Sequence, residues 1–255
     1  KKIHESVKNP CLYWQSNLLN LVNLLEVMDT FNCKTIVFSS SATIYGQSNK
    51  NLIEENDPYN PVNPYGNTKL AMEILLRDIY KSAPNDWRIA NLRYFNPIGS
   101  HPSGLIGESP SGDPNNIFPL ILKVAHGQLS SLKVYGNDWN TKDGTPIRDY
   151  IHVMDLVDAH LCAMIYLLKN KGQIINVNLG TGKGITVLDL INYFQEVNKV
   201  KVAHVFSKRR RGDVERIVAS NELALRILNW SPKKGLKDMC RDGWKWKINN
   251  PNGYN

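Results

Sequence analysis

The alternation of apolar and polar positions predicts a chain in which helices and short strands follow one another. Apolar residues recur at helical spacing over 18–28, and the β-prone run 35–39 comes next. A second helix is predicted over 65–79 and a second strand over 87–95. Further helices are predicted at 117–126, 153–168, 187–197 and 236–247, and further strands at 132–135, 174–179 and 202–206. Helices and strands in this order indicate βαβ units around a parallel sheet.

The apolar positions within each helix predict which face is buried. In the first helix they are Leu18, Leu21, Val22, Leu25 and Met28. In the helices over 65–79 and 153–168 they are Ala71, Ile74, Leu75 and Ile79, and then Leu156, Val157, Leu161, Met164, Ile165 and Leu168. The segments 46–64 and 100–116 are rich in Pro, Gly, Asn and Ser and are predicted to be loops.

The composition is that of a folded protein with an excess of positive charge. Hydrophobic residues make up 42% and charged residues 21% of the 255 residues, which excludes a disordered or fibrous chain. Lys and Arg exceed Asp and Glu by 31 − 23, a net charge of +8, which favours a phosphorylated small molecule or a nucleic acid as partner. No apolar run approaches the roughly 20 residues that span a bilayer, so no membrane partner is expected.

The four cysteines give no sign of a metal site or a disulfide framework. Cys11, Cys33, Cys162 and Cys240 are widely separated, and no C-x-x-C pair occurs. We therefore expect no bound metal, and we expect a reducing compartment, the cytoplasm.

Tyr65 and Lys69 are the first candidates for chemistry. They lie four residues apart at the start of a predicted helix, so both side chains lie on one face, one turn apart. A free phenol has a pKa of about 10 and is a poor base at neutral pH. A nearby ammonium favours the phenolate, so we expect Lys69 to lower the pKa of Tyr65 toward the range of a general acid–base catalyst. The spacing alone also occurs in many helices where Tyr and Lys are surface residues.

A run of hydroxyl residues, Ser39 to Thr43, follows the predicted strand over 35–39. Ligand clefts in parallel sheets open at this end of a strand, where hydroxyls can donate hydrogen bonds to a substrate oxygen. Such a run also satisfies backbone groups in ordinary turns. The strand, the serine run and Tyr-x-x-x-Lys in this order are rarer together than either motif alone, which favours a catalytic role.

Several longer motifs carry a resemblance to a known family. They are Ser39-Ser-Ser-Ala-Thr-Ile-Tyr-Gly46, Pro64-Tyr-Gly-Asn-Thr-Lys69, Leu92-Arg-Tyr-Phe-Asn-Pro-Ile-Gly99, His101-Pro-Ser-Gly104 and Arg148-Asp-Tyr-Ile-His-Val-Met-Asp-Leu156. Over essentially the whole chain the sequence resembles the UDP-glucose 4-epimerases of the extended short-chain dehydrogenase/reductase superfamily. The related 4,6-dehydratases have an Asp-Glu pair after the Thr of the serine motif, whereas here Ile44 and Tyr45 follow Thr43.

The resemblance implies an α/β fold: a Rossmann-like, doubly wound parallel sheet without its first βαβ units, and a smaller C-terminal α/β domain for the substrate. It implies that 1–97, with 149–178, is the later part of an NAD-binding domain, and that 98–148 and 179–255 mainly bind the nucleotide sugar. The Gly-rich G-x-x-G-x-x-G turn of the family does not occur in these 255 residues. We therefore expect the chain by itself to bind NAD weakly.

The resemblance also implies roles for individual residues. Tyr65 is the expected acid/base at the sugar 4-hydroxyl, Lys69 lowers its pKa and binds the nicotinamide ribose, and Ser41 with Thr43 binds the 4-oxygen. The implied cofactor is NAD, and its expected contacts are Lys1, Asn17, Ser39, Ser41, Tyr65, Lys69 and Phe95.

The expected substrate is a UDP-sugar. Its implied contacts are Ser41, Tyr65, Asn96, Asn115, Asn116, Ile117, Lys133, Val134, Tyr135, Arg148, Arg210, Asp213 and Ile217. Ile217 stands where the family has a residue that limits the size of the sugar, and its middling bulk leaves N-acetylated sugars undecided. The basic run Lys208 to Arg211 is assigned to a solvated face or to diphosphate binding, so no nucleic-acid partner is expected.

Three functions remain open from the sequence. The first is interconversion of UDP-glucose and UDP-galactose by transient oxidation at C4. The others are a related UDP-pentose or UDP-uronate 4-epimerase, and a non-catalytic NAD-binding protein of the same fold. A homodimer formed through paired helices is expected from the resemblance.

Overall fold

The computed structural model describes residues 3–48, 50–110, 112, 114–210 and 212–254. The chain forms two compact units. Unit 1 comprises Lys1–Phe95, Asp158–Leu179 and Ala219–Ser231, and unit 2 comprises Asn96–Val157, Gly180–Val218 and Pro232–Asn255. The cofactor and substrate roles expected for the two domains stay predictions.

The elements follow one another along the chain in the alternating order that the hydrophobic pattern indicates. The helices are α1 (Ile3–Lys8), α2 (Pro10–Trp14), α3 (Asn20–Thr30), α4 (Pro64–Ser82), α5 (Ile117–Ala125), α6 (Val153–Lys169), α7 (Val187–Asn198), α8 (Glu222–Leu228) and α9 (Leu236–Asn249). The strands are β1 (Thr35–Ser41), β2 (Arg88–Tyr94), β3 (Asn96–Ile98), β4 (Leu132–Tyr135), β5 (Ile147–His152), β6 (Gln173–Leu179), β7 (Gly184–Thr186), β8 (His204–Ser207) and β9 (Arg216–Ile217). A π-helical turn, Gln15–Leu19, joins α2 to α3.

Unit 1 is built on a parallel sheet with the strand order β1-β2-β6. β2 is the central strand, and five of its seven residues are buried. The core beside the sheet includes Leu21, Leu25 and Met28 of α3, as predicted, and Leu76 of α4. The prediction of an α/β fold with parallel strands is confirmed.

Unit 2 contains two small sheets. β5 pairs in parallel with β3 and with β9, and antiparallel with β7, while β4 and β8 form a separate parallel pair. α5, α7 and α9 contribute Phe118, Phe194 and Met239 to the core of this unit. The strand β5 was not predicted, because its sequence lies in a stretch that reads as a Gly/Asp-containing loop.

The expected buried face of α6 is wrong except at Leu156, which is buried. Leu161 and Leu168 are 61% and 62% exposed, and Val157 and Ile165 are also exposed. The buried positions are Asp155, Leu156, Ala159, Ala163 and Leu167. The helix is apolar on more than one side, and its packed face combines two small alanines with Leu156 and Leu167. The side of α4 predicted from Ala71, Ile74, Leu75 and Ile79 is likewise only partly buried, whereas Met72, Glu73 and Leu76 are buried.

Candidate active site

Tyr65 lies in the first turn of α4, where the local sequence fixes the start of the helix. The Asn63 side chain accepts a hydrogen bond from the Gly66 amide at 2.9 Å, and Pro64 is the first helical residue. The Tyr65 amide donates a hydrogen bond to the Ser6 hydroxyl at 3.2 Å. Tyr65 is only 7% exposed. Its phenol is therefore positioned by a well-capped helix.

Ser41 and Thr43 form a chain of hydroxyl groups beside Tyr65. Ser41 ends β1 and caps the short 3₁₀ turn Ala42–Ile44, where it accepts a hydrogen bond from the Thr43 amide at 3.3 Å. The Thr43 hydroxyl donates a hydrogen bond to Ser41 Oγ at 3.0 Å. Ser41 is also hydrogen-bonded to the Tyr65 phenol, and this bond lowers the phenol pKa. Three connected hydroxyls can bind a substrate oxygen and move a proton.

Lys69 lies one helical turn after Tyr65 and is half-buried. Its ammonium donates a hydrogen bond to the Ser39 carbonyl at 2.9 Å and lies 4.7 Å from the centroid of the Phe38 ring. Burial lowers the pKa of Lys69 to about 8, whereas the carboxylate of Glu73 acts to raise it. Lys69 is therefore still mostly protonated at neutral pH.

The pKa of Tyr65 differs from the expectation drawn from the sequence. Burial raises it to about 12, the hydrogen bond with Ser41 lowers it, and Tyr94 and Tyr13 raise it. Lys69 is not among the described residues that shift the pKa of Tyr65. Its ammonium lies 6.0 Å from the centroid of the Tyr65 ring. The expected lowering by Lys69 is wrong for this structure, because burial of the phenol is the largest cause of the shift and raises the pKa.

Two of the predicted cofactor residues, Ser39 and Asn17, lie next to this pair. The Ser39 hydroxyl accepts a hydrogen bond from the Tyr94 hydroxyl at 2.7 Å, so Ser39 has partners on both its side chain and its carbonyl. The Asn17 amide donates a hydrogen bond to the Thr68 hydroxyl at 2.8 Å, and that hydroxyl donates to the Tyr65 carbonyl at 2.8 Å. The π-helical turn that carries Asn17 is thus tied to the first turn of α4.

Phe95 directly follows β2 and ends unit 1. Its ring is buried, and its amide donates a hydrogen bond to the Leu179 carbonyl at 3.1 Å. The predicted cofactor residue Lys1 lies outside the described residues.

The predicted diphosphate and ribose residues meet in unit 2. The Arg210 guanidinium lies 4.6 Å from the centroid of the Tyr135 ring and donates a hydrogen bond to Asp213 at 3.0 Å. Arg148 donates hydrogen bonds to two backbone carbonyls, at 2.8 and 3.4 Å. Burial lowers the pKa of Arg148, Asp213 raises it and Arg210 lowers it. The positive charges of Arg148 and Arg210 are only partly neutralised by Asp213, so this part of unit 2 is suited to bind an anion.

The other predicted substrate residues on the strands of unit 2 are placed as follows. Ile217 on β9 pairs with Arg148 on β5, so its side chain belongs to the same edge of the sheet. Lys133 is exposed on β4, and Val134 beside it is 1% exposed. Asn96 is on β3, which pairs with the other end of β5.

Asn115, Asn116 and Ile117 lie at the start of α5. Both asparagines are exposed, and the Asn116 side chain makes no capping hydrogen bond. The first amides of a helix have no partner within it and can bind an anion. The hydrogen bonds of the described residues do not join this segment to the arginines of unit 2.

Sequence reasoning missed Tyr150. Its hydroxyl is buried and has no hydrogen-bond partner among the described residues. Burial raises the pKa of Tyr150 to about 12, and Arg148 lowers it. Tyr150 follows Arg148 by two residues on β5, and alternate residues of a strand share a face, so this spacing could have identified it.

Sequence reasoning also missed a buried ion pair in unit 1, Glu73 with Arg93. Both residues are in elements that the sequence predicts, but charged residues in such elements are usually exposed. The signal in the sequence that could have identified Glu73 was its spacing of four residues from Lys69 on the same helix. Among the described residues, no group of three or more His, Cys, Asp or Glu side chains is placed to hold a metal ion. None of the helices described is long and apolar enough to cross a membrane.

Comparison with known proteins gives the family. A model of the GDP-mannose 4,6 dehydratase family matches residues 1–243. UDP-glucose 4-epimerase 2 of Arabidopsis thaliana is 49% identical over 255 residues, which cover all of this chain and 73% of that protein. The chain belongs to the UDP-glucose 4-epimerase family. The resemblance inferred from the motifs is thus confirmed.

Solved structures of the UDP-glucose 4-epimerase family share the fold over almost the whole chain. The enzyme from Stenotrophomonas maltophila, with bound NAD and formylated UDP-arabinopyranose, is 43% identical with a TM-score of 0.95, over 98% of this chain and 74% of that one. The enzyme from Bifidobacterium longum, in complex with NAD+ and UDP, is 41% identical with a TM-score of 0.96, over 100% of this chain and 75% of that one. This chain thus spans about three quarters of the epimerases it matches.

Proposed function

We propose that this chain carries the catalytic and UDP-binding residues of an epimerase that interconverts UDP-glucose and UDP-galactose. The observation that carries the proposal is the hydroxyl chain Thr43–Ser41–Tyr65 with the Lys69 ammonium one helical turn away. A protein that only binds a nucleotide has no use for a buried phenol connected to two hydroxyls. The membership of the epimerase family supports the same conclusion.

The residues of unit 1 hold and move one proton. Ser41, oriented by Thr43, binds the sugar 4-oxygen, and Tyr65 in its phenolate form accepts the proton of the 4-hydroxyl as C4 is oxidised to a ketone. Burial raises the pKa of Tyr65 to about 12, so a positive charge bound nearby would be needed to stabilise that phenolate. Tyr65 later returns the same proton when C4 is reduced on its other face. Because the proton goes out and comes back, the reaction needs no net exchange with solvent. Lys69 stays protonated near neutral pH and donates hydrogen bonds at the edge of this site.

The residues present fit the nicotinamide side of NAD. The Lys69 ammonium donates to one described residue, Ser39, and can donate further hydrogen bonds to ribose hydroxyls. When bound, NAD supplies a positively charged ring that accepts the C4 hydride and returns it. The expected contacts of this half are Asn17, Ser39, Ser41, Tyr65, Lys69 and Phe95, while the Gly-rich turn for the other half does not occur in this sequence.

The UDP moiety is assigned to unit 2. Arg148 and Arg210 are the groups that bind the diphosphate, because both are cations and Arg148 has only carbonyl oxygens as hydrogen-bond partners among the described residues. Asp213 is suited to accept hydrogen bonds from ribose hydroxyls. The buried Tyr150 hydroxyl is a further donor for this ligand. Asn96, Asn115, Asn116, Ile117, Lys133, Val134, Tyr135 and Ile217 complete the proposed set.

The test is conversion of UDP-galactose to UDP-glucose with added NAD. The chain is joined at its N-terminus to a Gly-rich βαβ unit of the family, because these residues contain no such turn. We expect turnover in this protein and a loss of at least about 100-fold in Tyr65→Phe, which removes the acid/base and keeps the ring. Failure on every UDP-hexose, with UDP still bound, would contradict the proposal.

A UDP-pentose is the second candidate substrate. The Stenotrophomonas maltophila epimerase was solved with formylated UDP-arabinopyranose. Ile217 pairs with Arg148 and has a middling bulk that accepts either a pentose or a hexose. Turnover of UDP-xylose and UDP-galactose by the same protein separates the two candidates.

We also propose a homodimer and a cytoplasmic location. Leu24 and Val27 on the outer side of α3 and Phe31 directly after its end are 48%, 54% and 77% exposed, which suits helix pairing with a second copy. The scattered cysteines support a reducing compartment. The proposal includes neither a nucleic-acid nor a membrane partner.

A further inference from the structure

Glu73 continues the polar face of α4 that begins with Tyr65 and Lys69. The three residues follow at four-residue intervals, so they lie on one side of the helix. Glu73 is 6% exposed, and carboxylates are rarely this buried unless they are paired. Neither the proton transfer nor the UDP site described above uses it.

The Glu73 carboxylate joins α4 to two strands at once. Arg93 on β2 donates to it twice, from Nη2 at 2.7 Å and from Nε at 3.0 Å. The Ser40 hydroxyl on β1 also donates to it, in a close contact with Oε1. Ser40 and Arg93 are paired residues of the sheet. The Glu73 side chain therefore joins α4 to β1 and β2 at one pair of neighbouring residues in the sheet.

Arg93 is itself fixed by further partners. Its Nη1 donates hydrogen bonds to the Tyr45 hydroxyl at 2.7 Å and to the Glu55 carbonyl at 2.9 Å, and its Nη2 donates to the Tyr59 hydroxyl at 2.8 Å. Arg93 is fully buried. A buried ion pair often gives no more stability than apolar residues of the same size, whereas it can fix one geometry. This favours a positioning role over a purely stabilising one.

We propose that Glu73 and Arg93 are positioning residues, which hold Ser40 and thereby set the neighbouring Ser39 and Ser41 against Lys69 and Tyr65. Ser39 and Ser41 are the residues on either side of Ser40 and make the two contacts on which the site depends. The inference rests on the function proposed above for Tyr65 and Lys69. The Glu73 carboxylate has a second effect, because it favours the ammonium form of Lys69.

The titration of Lys69 reports this arrangement directly. Among the described residues, the titratable and charged groups around Lys69 and its partners are Tyr65 and Glu73 on α4, Arg93 and Tyr94 on β2, and Tyr13 on α2. Of these, Glu73 is the anion, and β1 faces Lys69 with the Ser39 carbonyl and the Phe38 ring.

The experiment is an NMR titration of the chain with ¹³C-labelled lysine side chains, in which Lys69→Arg assigns the Lys69 signal. In Glu73→Gln the shape is kept but the anion is lost and Arg93 is left uncompensated. We expect the Lys69 midpoint to fall by about one pH unit. The measurement needs no turnover, so its outcome is independent of whether the substrate proposal holds.

The matched control is Asp242→Asn in unit 2, which removes the carboxylate from another buried pair, with His152. It is expected to lower the melting temperature but to leave the Lys69 midpoint unchanged. An unchanged midpoint in Glu73→Gln, or an equal shift in Asp242→Asn, would overturn the inference.

A second variant covers the case in which Glu73→Gln does not fold. Glu73→Asp keeps the charge but shortens the side chain by one methylene. In the chain joined to the Gly-rich unit we expect kcat to fall by about 10- to 100-fold with little change in KM, because the contacts of Ser41 and Lys69 shift. Wild-type kcat in Glu73→Asp would contradict a positioning role.

Discussion

Replacing Lys69 by methionine should change how the stability of the chain depends on pH. Burial lowers the pKa of Lys69 from 10.5 to about 8. Each pKa unit corresponds to about 1.4 kcal/mol of difference between the two protonation states. The charged form therefore opposes folding by about 3 kcal/mol at pH 7, and we expect about 2 kcal/mol to be observed because the side chain is only half-buried.

The sign follows from the order of the two pKa values. Between pH 8 and 10.5 the unfolded chain binds the Lys69 proton and the folded chain has released it, so the free energy of unfolding rises with pH. Above pH 10 the raised pKa of Tyr65 acts in the opposite direction, because the folded phenol keeps a proton that the unfolded one loses. The comparison is therefore made from pH 7 to pH 10.

The assay is urea unfolding of the wild-type chain and of Lys69→Met, followed by far-UV circular dichroism at several pH values. The other titratable groups are present in both proteins, so their contributions cancel in the difference between the two free energies of unfolding. We expect the wild type to gain about 2 kcal/mol relative to the variant between pH 7 and pH 10. Lys81→Met is the matched control, because Lys81 is exposed in the last turn of the same helix and its loss should leave the rise intact. If wild type and Lys69→Met change in parallel with pH, burial does not disfavour the ammonium and the reasoning is wrong.

Two further predictions concern unit 2. Arg148→Met should weaken UDP binding by about 10- to 100-fold in calorimetric titration, because hydrogen bonds to charged groups contribute about 1.5–3 kcal/mol. The control Arg226→Met, at an exposed position of α8, should bind UDP like the wild type. Equal UDP affinities of the wild type and both variants would exclude Arg148 from the site. Gly243→Ala should lower the melting temperature by several degrees, because the new Cβ would lie 2.3 Å from the Phe118 ring, while Gly235→Ala, which meets no atom within 4 Å, should leave it nearly unchanged. Equal melting temperatures for the two glycine variants would contradict this account of the packing.

The sequence predicts the long helices and several strands of the fold, and it misses β5 and the short strands that pair with it. α3, α4, α6 and α7 have at least 11 residues each, enough for an apolar repeat to be recognised, and they were predicted within a few residues. β3, β7 and β9 have two or three residues, which is too short for an alternating pattern. These strands form because β5 offers hydrogen bonds along its edges, and this depends on tertiary structure.

The faces of the helices were harder to predict than the helices themselves. On α3 the buried positions Leu21, Leu25 and Met28 are among those expected. On α6 the large residues Leu161 and Leu168 were expected inside, but Ala159, Ala163 and Leu167 are the fully buried ones. Close packing favours small residues where backbones approach, so size alone does not identify the inner face of a helix that is apolar on two sides.

The sequence shows which residues are cations but not whether an anion in the fold neutralises each positive charge. That difference separates structural cations from functional ones. Arg93 has a bidentate carboxylate partner that raises its pKa, so its charge is neutralised within the fold. Lys69 and Arg148 are also removed from water, and this burial lowers their pKa values. Their described hydrogen-bond acceptors are carbonyl oxygens, which carry no full negative charge. A cation that the fold desolvates without neutralising is destabilising on its own and gains most from an anionic or hydroxyl-bearing ligand. This criterion supports the proposals that Lys69 in unit 1 and Arg148 in unit 2 belong to binding sites and that Arg93 belongs to the framework that positions one of them.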